Sequence, residues 1–389
     1  MAIELLVSRK KILVIFGTRP EVIKMAPVCM ALKAKASVFE LKICVTGQHK
    51  EMLQQALNAF GLKPNFNLEI MTTDQSLADI TSKALNLITP ILLKEQPYLV
   101  LVHGDTTSAM ASALACFYLD IPVGHVEAGL RTYNLKSPFP EELNRQIISK
   151  VASVHFAPTK NASDVLLAEN VKMEQIFVTG NTVIDALLDV KSRLQKDQSF
   201  RNEIIQRLFR DFSLKLDGTR FILVTGHRRE NFRDEGNEII EGLRFLARQN
   251  PEVKFIYPVH LSPRVKREVE KGLGNLSNVF LIEPVDYPSF VLLMMECYFI
   301  ITDSGGIQEE APSLSKPVLV TRNETERHEA VDMGCVILVG NDKGDLIKYA
   351  QKLLDDANFN LSMSSGVNPY GDGKASYKII RALEENKFV

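Results

Sequence analysis

The stretch Tyr298-Phe299-Ile300-Ile301-Thr302-Asp303-Ser304-Gly305-Gly306-Ile307-Gln308-Glu309-Glu310 decides how the rest of this sequence is read. Its first four residues form an apolar run of the length of a buried strand. Ile307, Ala311 and Leu314 then fall on one face of a helix. Ser304-Gly305-Gly306 therefore sits where a strand ends and a helix begins, and there free backbone N–H groups and the helix dipole favour an anion. Two glycines let a phosphate approach the backbone closely. Two carboxylates follow on the first helical turn, and a hydroxyl-bearing group such as a ribose suits one of them. The stretch points to a nucleoside diphosphate site. An ordinary strand-to-helix turn with acidic residues at the helix start accounts for the same letters.

Outward from this stretch, the same alternation fills the chain. Lys11–Phe16, Leu41–Thr46, Tyr98–Val102 and Val123–Glu127 read as strands before it, with helical spacing between them. Phe221–Val224, Lys254–Tyr257, Val279–Ile282, Val318–Val320 and Cys335–Val339 are further strands in the second half. A helix is expected to open at His49, and another to run from about Ser76 to Lys94, with Pro90 kinking it or splitting off its last turn. The polar helical segment from Asn181 to about Lys215 reads as the join between domains. Strands alternating with helices, twice over, predict an α/β chain of two doubly wound Rossmann-like domains with parallel sheets. The expected division is 1–180, joined by a C-terminal helix over 372–389, and 181–371.

The 389 residues suit two domains, and the net charge of -1 gives no argument for nucleic acid or an anionic membrane as partner. No apolar run approaches the ~20 residues of a spanning helix. The five cysteines show no metal or C-x-x-C spacing and read as buried thiols in a reducing compartment, so a cytoplasmic protein is expected. Gly17-Thr18-Arg19 lacks the dinucleotide fingerprint, and there is no P-loop, zinc-protease motif or nucleophile elbow. Neither a metal nor a cofactor is expected.

In doubly wound folds, ligands sit at the carboxyl ends of the strands. The polar residues there are Arg19, Lys24, Asp105, Glu127 and Glu141 in the first half, and His227, Arg228, His260, Ser304, Gly305, Gly306, Glu310 and Arg327 in the second. Glu127 ends an apolar strand, where a lone carboxylate is costly to bury without a partner. Asp105 follows a buried strand, although a helix cap explains it too. Glu141 and Glu142 are ordinary first-turn residues as well as candidates. The carboxylates gather in the first half and the anion turn lies in the second.

Gly17-Thr18-Arg19-Pro20-Glu21, His103-Gly104-Asp105-Thr106-Thr107, Gly124-His125-Val126-Glu127-Ala128-Gly129-Leu130-Arg131-Thr132, Pro140-Glu141-Glu142, Gly180-Asn181-Thr182-Val183-Ile184-Asp185, Gly226-His227-Arg228-Arg229-Glu230 and Asp303–Pro312 together resemble the non-hydrolysing UDP-N-acetylglucosamine 2-epimerases. The resemblance runs from about Lys11 to the last helix. It implies a glycosyltransferase-B type fold with two domains facing across a cleft, a homodimer, and interconversion of UDP-GlcNAc and UDP-ManNAc for bacterial surface polysaccharide. It also implies that Arg19, His227, Phe290, Ser304, Gly305, Gly306, Glu310 and Arg327 hold UDP, with Glu310 on the ribose. Lys24, Asp105, Glu127, Glu141, Arg145 and His227 would line the reacting sugar. A second, activating UDP-GlcNAc site is implied near Gln48, His49, Arg228 and His260. Phe139 stands where the family usually has Trp, and His328 where it usually has Pro.

The proton at C2 of GlcNAc has no neighbouring carbonyl, so direct deprotonation is too hard for a side-chain base. An oxidised intermediate needs NAD, for which the sequence offers no site. Elimination of UDP to 2-acetamidoglucal and its re-addition remains, and it requires acid–base groups near C2 and a stabilised diphosphate. Asp105, Glu127 and Glu141 are the expected proton carriers, with His227 and Arg19 steadying the diphosphate. A glycosyltransferase of the same fold, a hydrolysing epimerase and a sugar-nucleotide sensor remain as alternatives.

Overall fold

In a computed structural model of the chain, the structure describes residues 9–47, 50–72, 75–226, 238–325, 327–366 and 368–385. They divide into two compact units, Met1–Ala186 with Tyr370–Val389, and Leu187–Pro369. The first unit holds a parallel sheet of seven strands: β1 Lys10–Phe16, β2 Phe39–Val45, β3 Phe66–Asn67, β4 Leu99–His103, β5 Val123–Val126, β6 Val154–Ala157 and β7 Ile176–Val178. Their order is β3-β2-β1-β4-β5-β6-β7.

β1 is apolar without alternation because both its faces are covered. Ile12, Val14 and Phe16 enter a core shared with helices Arg19–Ala34 and Ala375–Glu385, while Leu13 and Ile15 enter the core under helices Leu77–Glu95 and Thr107–Tyr118. Each such buried side chain contributes roughly 1.5–3 kcal/mol. The last helix belongs to this unit through Ile379, Ile380 and Leu383. Its first turn is held by the buried Asp185, which accepts hydrogen bonds from the Ala375 and Ser376 N–H groups at 3.0 and 2.8 Å.

The second unit holds a parallel sheet of six strands: β8 Phe221–Thr225, β9 Lys254–Pro258, β10 Val279–Ile282, β11 Phe299–Thr302, β12 Val318–Val320 and β13 Val336–Leu338. Their order is β10-β9-β8-β11-β12-β13. Ile222, Val224, Phe299 and Ile301 pack with helices Glu238–Gln249, Pro263–Leu273 and Lys343–Asp355.

In each sheet the order reverses beside the unit's first strand. β1 lies between β2 and β4, and β8 lies between β9 and β11. The carboxyl ends of strands at such a reversal are where open α/β sheets take ligands. The stretches Gly17-Thr18-Arg19 and Gly104-Asp105 follow β1 and β4, and Gly226 and Asp303-Ser304-Gly305 follow β8 and β11.

Of the two effects expected of Pro90, splitting off the last turn does not occur: the helix runs unbroken from Leu77 to Glu95. Ile88 and Leu92 on either side of the proline are fully buried and hold that turn against the core. The helix expected to open at His49 is described from Lys50, and His49 itself lies outside the described residues. The polar segment after Asn181 resolves into two helices, Thr182–Lys196 and Gln198–Phe212.

Candidate active site

In the first unit, the turn after β1 is held by Glu21. Thr18 caps the helix Arg19–Ala34, and Glu21 completes a capping box by accepting the Gly17 and Thr18 N–H groups at 3.0 and 2.7 Å. Its other oxygen accepts the Thr106 hydroxyl at 2.9 Å, tying the turn after β1 to the turn after β4. Gly17 allows this fit, because a Cβ there would lie 2.0 Å from Thr46 Oγ1. Burial pushes the Glu21 carboxyl up, against the His103 ring and these hydrogen bonds. Arg19 starts the helix, half-buried, and Lys24 lies on the next turn, 8% exposed.

Glu127 follows β5 with a left-handed φ of 66°. A non-glycine residue in that region is strained by about 1–3 kcal/mol and persists only where its surroundings hold it. Here they do. Lys24 Nζ forms a short ion pair with Oε2, Asn181 Nδ2 donates to the same oxygen at 3.3 Å, and His103 Nε2 lies 3.7 Å from it. Burial pushes the Glu127 carboxyl up, but the Lys24 charge and the His103 ring outweigh it and hold the group well below the usual carboxylate range. Behind it, His125 donates from Nε2 to the Gly104 carbonyl at 2.7 Å, and burial with His155 alongside pushes His125 down to about 3. A neutral imidazole thus braces the turn that carries Asp105.

Asp105 and Glu141 come from the adjoining loops. Arg145 donates to Asp105 Oδ2 from Nε and Nη2, each at 2.8 Å, and Asn144 donates to the Asp105 carbonyl at 2.8 Å. The paired carboxylates Glu141 and Glu142 diverge. Glu142 is fully buried and accepts the Thr132 and Tyr133 N–H groups and the Gln146 amide, fixing the loop after β5. Burial raises the Glu142 carboxyl, but those hydrogen bonds and Arg145 bring it below its ordinary value. Glu141 is half-buried, and no hydrogen bond or ion pair reaches its side chain among the described residues. It follows two cis prolyl bonds, Ser137-Pro138 and Phe139-Pro140.

In the second unit, the turn after β11 is built mostly from backbone and small side chains. The Thr225 and Thr302 hydroxyls meet at 2.6 Å, and Thr302 Oγ1 accepts the Ser304 N–H at 2.9 Å. Ser304 begins the short helix Gly305–Glu310 without a side-chain cap bond. Arg327 lies against Gly305 so closely that a Cβ there would be 2.6 Å from its guanidinium carbon. Arg327 Nε donates to the buried Glu309 at 3.0 Å, while the Arg327 N–H and Gln308 are joined through Thr325. Glu310 is 7% exposed and accepts the Tyr287 hydroxyl at 3.3 Å, from the helix Tyr287–Glu296 that also carries the half-buried Phe290. Asp303 is fully buried, and the Tyr257 hydroxyl donates to the Gly226 carbonyl at 3.3 Å.

The first unit thus brings together Lys24 and Glu127, and separately Asp105 and Arg145. The second brings together Ser304, Gly305, Gly306, Glu310 and Arg327. His260 is exposed after β9, where its Nδ1 accepts the Ser262 N–H. His227, Arg228, Gln48 and His49 lie outside the described residues. Sequence reasoning passed over Glu21, His103, Asn181 and Glu309 as site members, and weighed Glu142 only beside Glu141. His103 and Asn181 both stand beside a glycine at a strand's carboxyl end, which was the available signal. No group of metal-binding side chains occurs among the described residues, and no helix there is long and apolar enough to cross a membrane.

Two parallel sheets, each flanked by helices and each carrying its polar turns at the reversal of strand order, define a two-domain Rossmann-like protein of the glycosyltransferase-B type. A family model described as UDP-N-acetylglucosamine 2-epimerase matches residues 30–384, and the chain belongs to that family. It is 50% identical over 378 residues to the UDP-N-acetylglucosamine 2-epimerase of Campylobacter jejuni, covering 97% of this chain and 98% of that one. The crystal structure of the Neisseria meningitidis UDP-GlcNAc 2-epimerase bound to UDP-GlcNAc superposes with a TM-score of 0.90 at 45% identity, covering 97% of this chain and all (100%) of that one. The Methanocaldococcus jannaschii enzyme in complex with UDP-GlcNAc and UDP matches at 34% identity and a TM-score of 0.81, over 97% and 100% of the two chains.

Proposed function

We propose that this protein reversibly converts UDP-GlcNAc to UDP-ManNAc without hydrolysis, by eliminating UDP to 2-acetamidoglucal and adding it back. The C1–O bond breaks with its electron pair leaving on UDP. The C2–H pair becomes the C1=C2 double bond, and the proton passes to a carboxylate. Protonation of the opposite face of C2 and return of UDP to C1 complete the inversion. One observation carries this reading: Glu127 is a carboxylate with its side chain only 10% exposed, held ionised by Lys24 and His103.

So stable an anion is a weak base, and it suits a route in which departure of UDP leads. Positive charge growing at C1 acidifies the C2 proton, and a carboxylate nearby favours that charge. Asp105, anchored by Arg145, and Glu141, unpaired among the described residues, serve the remaining proton transfers. The second unit serves UDP: Ser304, Gly305 and Gly306 take the diphosphate with Arg327 and His227, Phe290 helps hold UDP, and Glu310 takes the ribose, while Arg19 of the first unit is a further UDP ligand. Lys24 and Arg145 act by fixing the carboxylates. Gln48, His49, Arg228 and His260 belong to an activating UDP-GlcNAc site.

The protein acts as a homodimer in the cytoplasm, supplying ManNAc units for surface polysaccharide. Exposed Leu87, Leu93, Phe117 and Tyr118, on two helices that pack together, support self-association. Five buried free thiols among the described residues support a reducing compartment.

The test is incubation of purified protein with UDP-GlcNAc alone in deuterated water, with the products identified. UDP-ManNAc carrying deuterium at C2 is expected. Free ManNAc with UDP identifies a hydrolysing enzyme, and UDP-ManNAc lacking deuterium overturns elimination.

A further inference from the structure

We propose that His103 and Asn181 are positioning residues which, with Lys24, engage one oxygen of Glu127 and leave the other, Oε1, as the atom that exchanges the C2 proton. This rests on the elimination reading above and adds to it which atom acts and what aims it.

A carboxylate can turn about its last bond, and the two oxygens are chemically alike until their surroundings differ. Around Glu127 they differ sharply. Lys24 Nζ, Asn181 Nδ2 and His103 Nε2 all address Oε2, the last two at 3.3 and 3.7 Å. No hydrogen bond reaches Oε1 among the described residues, and a Cβ built on Gly104 would stand 3.7 Å from it. The three groups come from separate places: the helix Arg19–Ala34, the end of β4, and the residue before the helix Thr182–Lys196. Rotation of the carboxylate would have to break all three contacts at once.

Asn181 is itself fixed. Its Oδ1 accepts the Val183 N–H at 3.1 Å and its own N–H donates to the Tyr370 carbonyl at 2.8 Å. Because Oδ1 is spent on a donor, the amide nitrogen must be the atom facing Glu127. His103 is 4% exposed, and no hydrogen bond among the described residues reaches either ring nitrogen. A buried ring in that condition is costly to keep for packing alone. Its nearest carboxylate is Glu127, and the Glu21 carboxylate and the neutral His125 also surround it. The hydrogen bonds from Lys24 and Asn181, with the His103 ring 3.7 Å away, stabilise the ionised form of Glu127, which agrees with the depressed carboxyl described above. During elimination Oε1 forms the new O–H bond with the C2 proton, while the C–H electron pair enters the C1=C2 bond and UDP carries off the pair of the C1–O bond.

The experiment measures kcat and KM for UDP-GlcNAc across pH in His103→Leu, His103→Gln and Asn181→Asp, with UDP affinity and thermal melting as controls. His103→Leu and Asn181→Asp are expected to lower kcat about tenfold or more, with KM within about threefold of wild type. Loss of a donor, or addition of a second carboxylate, raises the Glu127 carboxyl. The acid limb of kcat must therefore move to higher pH. His103→Gln, which keeps an N–H near the same place, should recover most of the rate. An unmoved acid limb, or equal losses in His103→Gln and His103→Leu, overturns the proposal. If His103→Leu fails to fold, Asn181→Asp still decides it through the acid limb. Glu127→Gln runs alongside. If it turns over normally, Glu127 leaves the chemistry and the present proposal fails, while deuterium incorporation at C2 still decides the elimination reading; if it is inactive while the His103 and Asn181 variants behave as wild type, only the present proposal fails.

Discussion

The two units solve the same placement problem with opposite materials. Each puts its polar turns beside the reversal of strand order in a parallel sheet. In the first unit the turns carry charges held by other charges: Glu127 by Lys24, Asp105 by Arg145, Glu142 by Arg145 and backbone donors. In the second, the turn after β11 presents small residues and backbone, with the Asp303 carboxylate buried behind it and Arg327, paired with Glu309, laid against Gly305. Charges fixed by charges suit proton transfer, which depends on the basicity and aim of one atom. Backbone with a single cation suits a ligand whose charge is already formed and only has to be held. The difference teaches where each kind of substitution should act.

The largest expected effect is in the first unit. Glu127→Gln should lower kcat by more than about a hundredfold, the scale of acid–base catalysis, while UDP affinity measured by calorimetry stays near wild type. A parallel loss of UDP affinity would erase the contrast between the units. Next is Gly305→Ala. Its methyl would lie 2.6 Å from the Arg327 guanidinium carbon and must displace it. UDP should then bind about tenfold more weakly, on the order of one lost charged hydrogen bond, with kcat changed less than KM. A fall in kcat at constant KM would place Arg327 in the chemistry.

The smallest effect sharpens the comparison through stability. Burial pushes His125 and His155 down to about 3 and about 4 from the ordinary 6.5, so both stay neutral in the fold. In the unfolded chain they take up protons at higher pH. The unfolded state therefore binds more protons between the ordinary value and the depressed one, and stability falls as pH drops through that window. Hydrogen exchange should show the first unit's amides losing protection before the second's between pH 6.5 and about 4. Equal loss in both units would remove the histidines as the cause.

Local pattern made much of this legible. Unbroken apolar runs and glycine turns marked the strands and their ends, because a strand buried on both faces needs such a run whatever its neighbours are. Asp105, Glu127 and the Ser304-Gly305-Gly306 turn stood out for the same reason: polar residues directly after buried strands. Glu141 and Glu142 show the boundary of that reasoning. Both are first-turn glutamates, yet one is buried under Thr132, Tyr133, Arg145 and Gln146 and the other carries no bond among the described residues. Glu309 and Glu310 divide in the same way, one to Arg327 and the other to Tyr287. Helix phase against a particular neighbour decides such pairs.

By itself, the sequence determined the alternation of strand and helix, the polar turns at the strand ends, and the family. Each is written in adjacent residues or in short motifs. Tertiary structure alone decided that Glu127 shares one oxygen among Lys24, His103 and Asn181 while its other oxygen stays unbonded among the described residues. Those partners are far apart in the chain: Lys24 and His103 meet Glu127 because the parallel pairing of β1, β4 and β5 sets their strand ends side by side, and Asn181 reaches it from the segment after β7. The strength and aim of a buried charge depend on that meeting, and no local pattern encodes it.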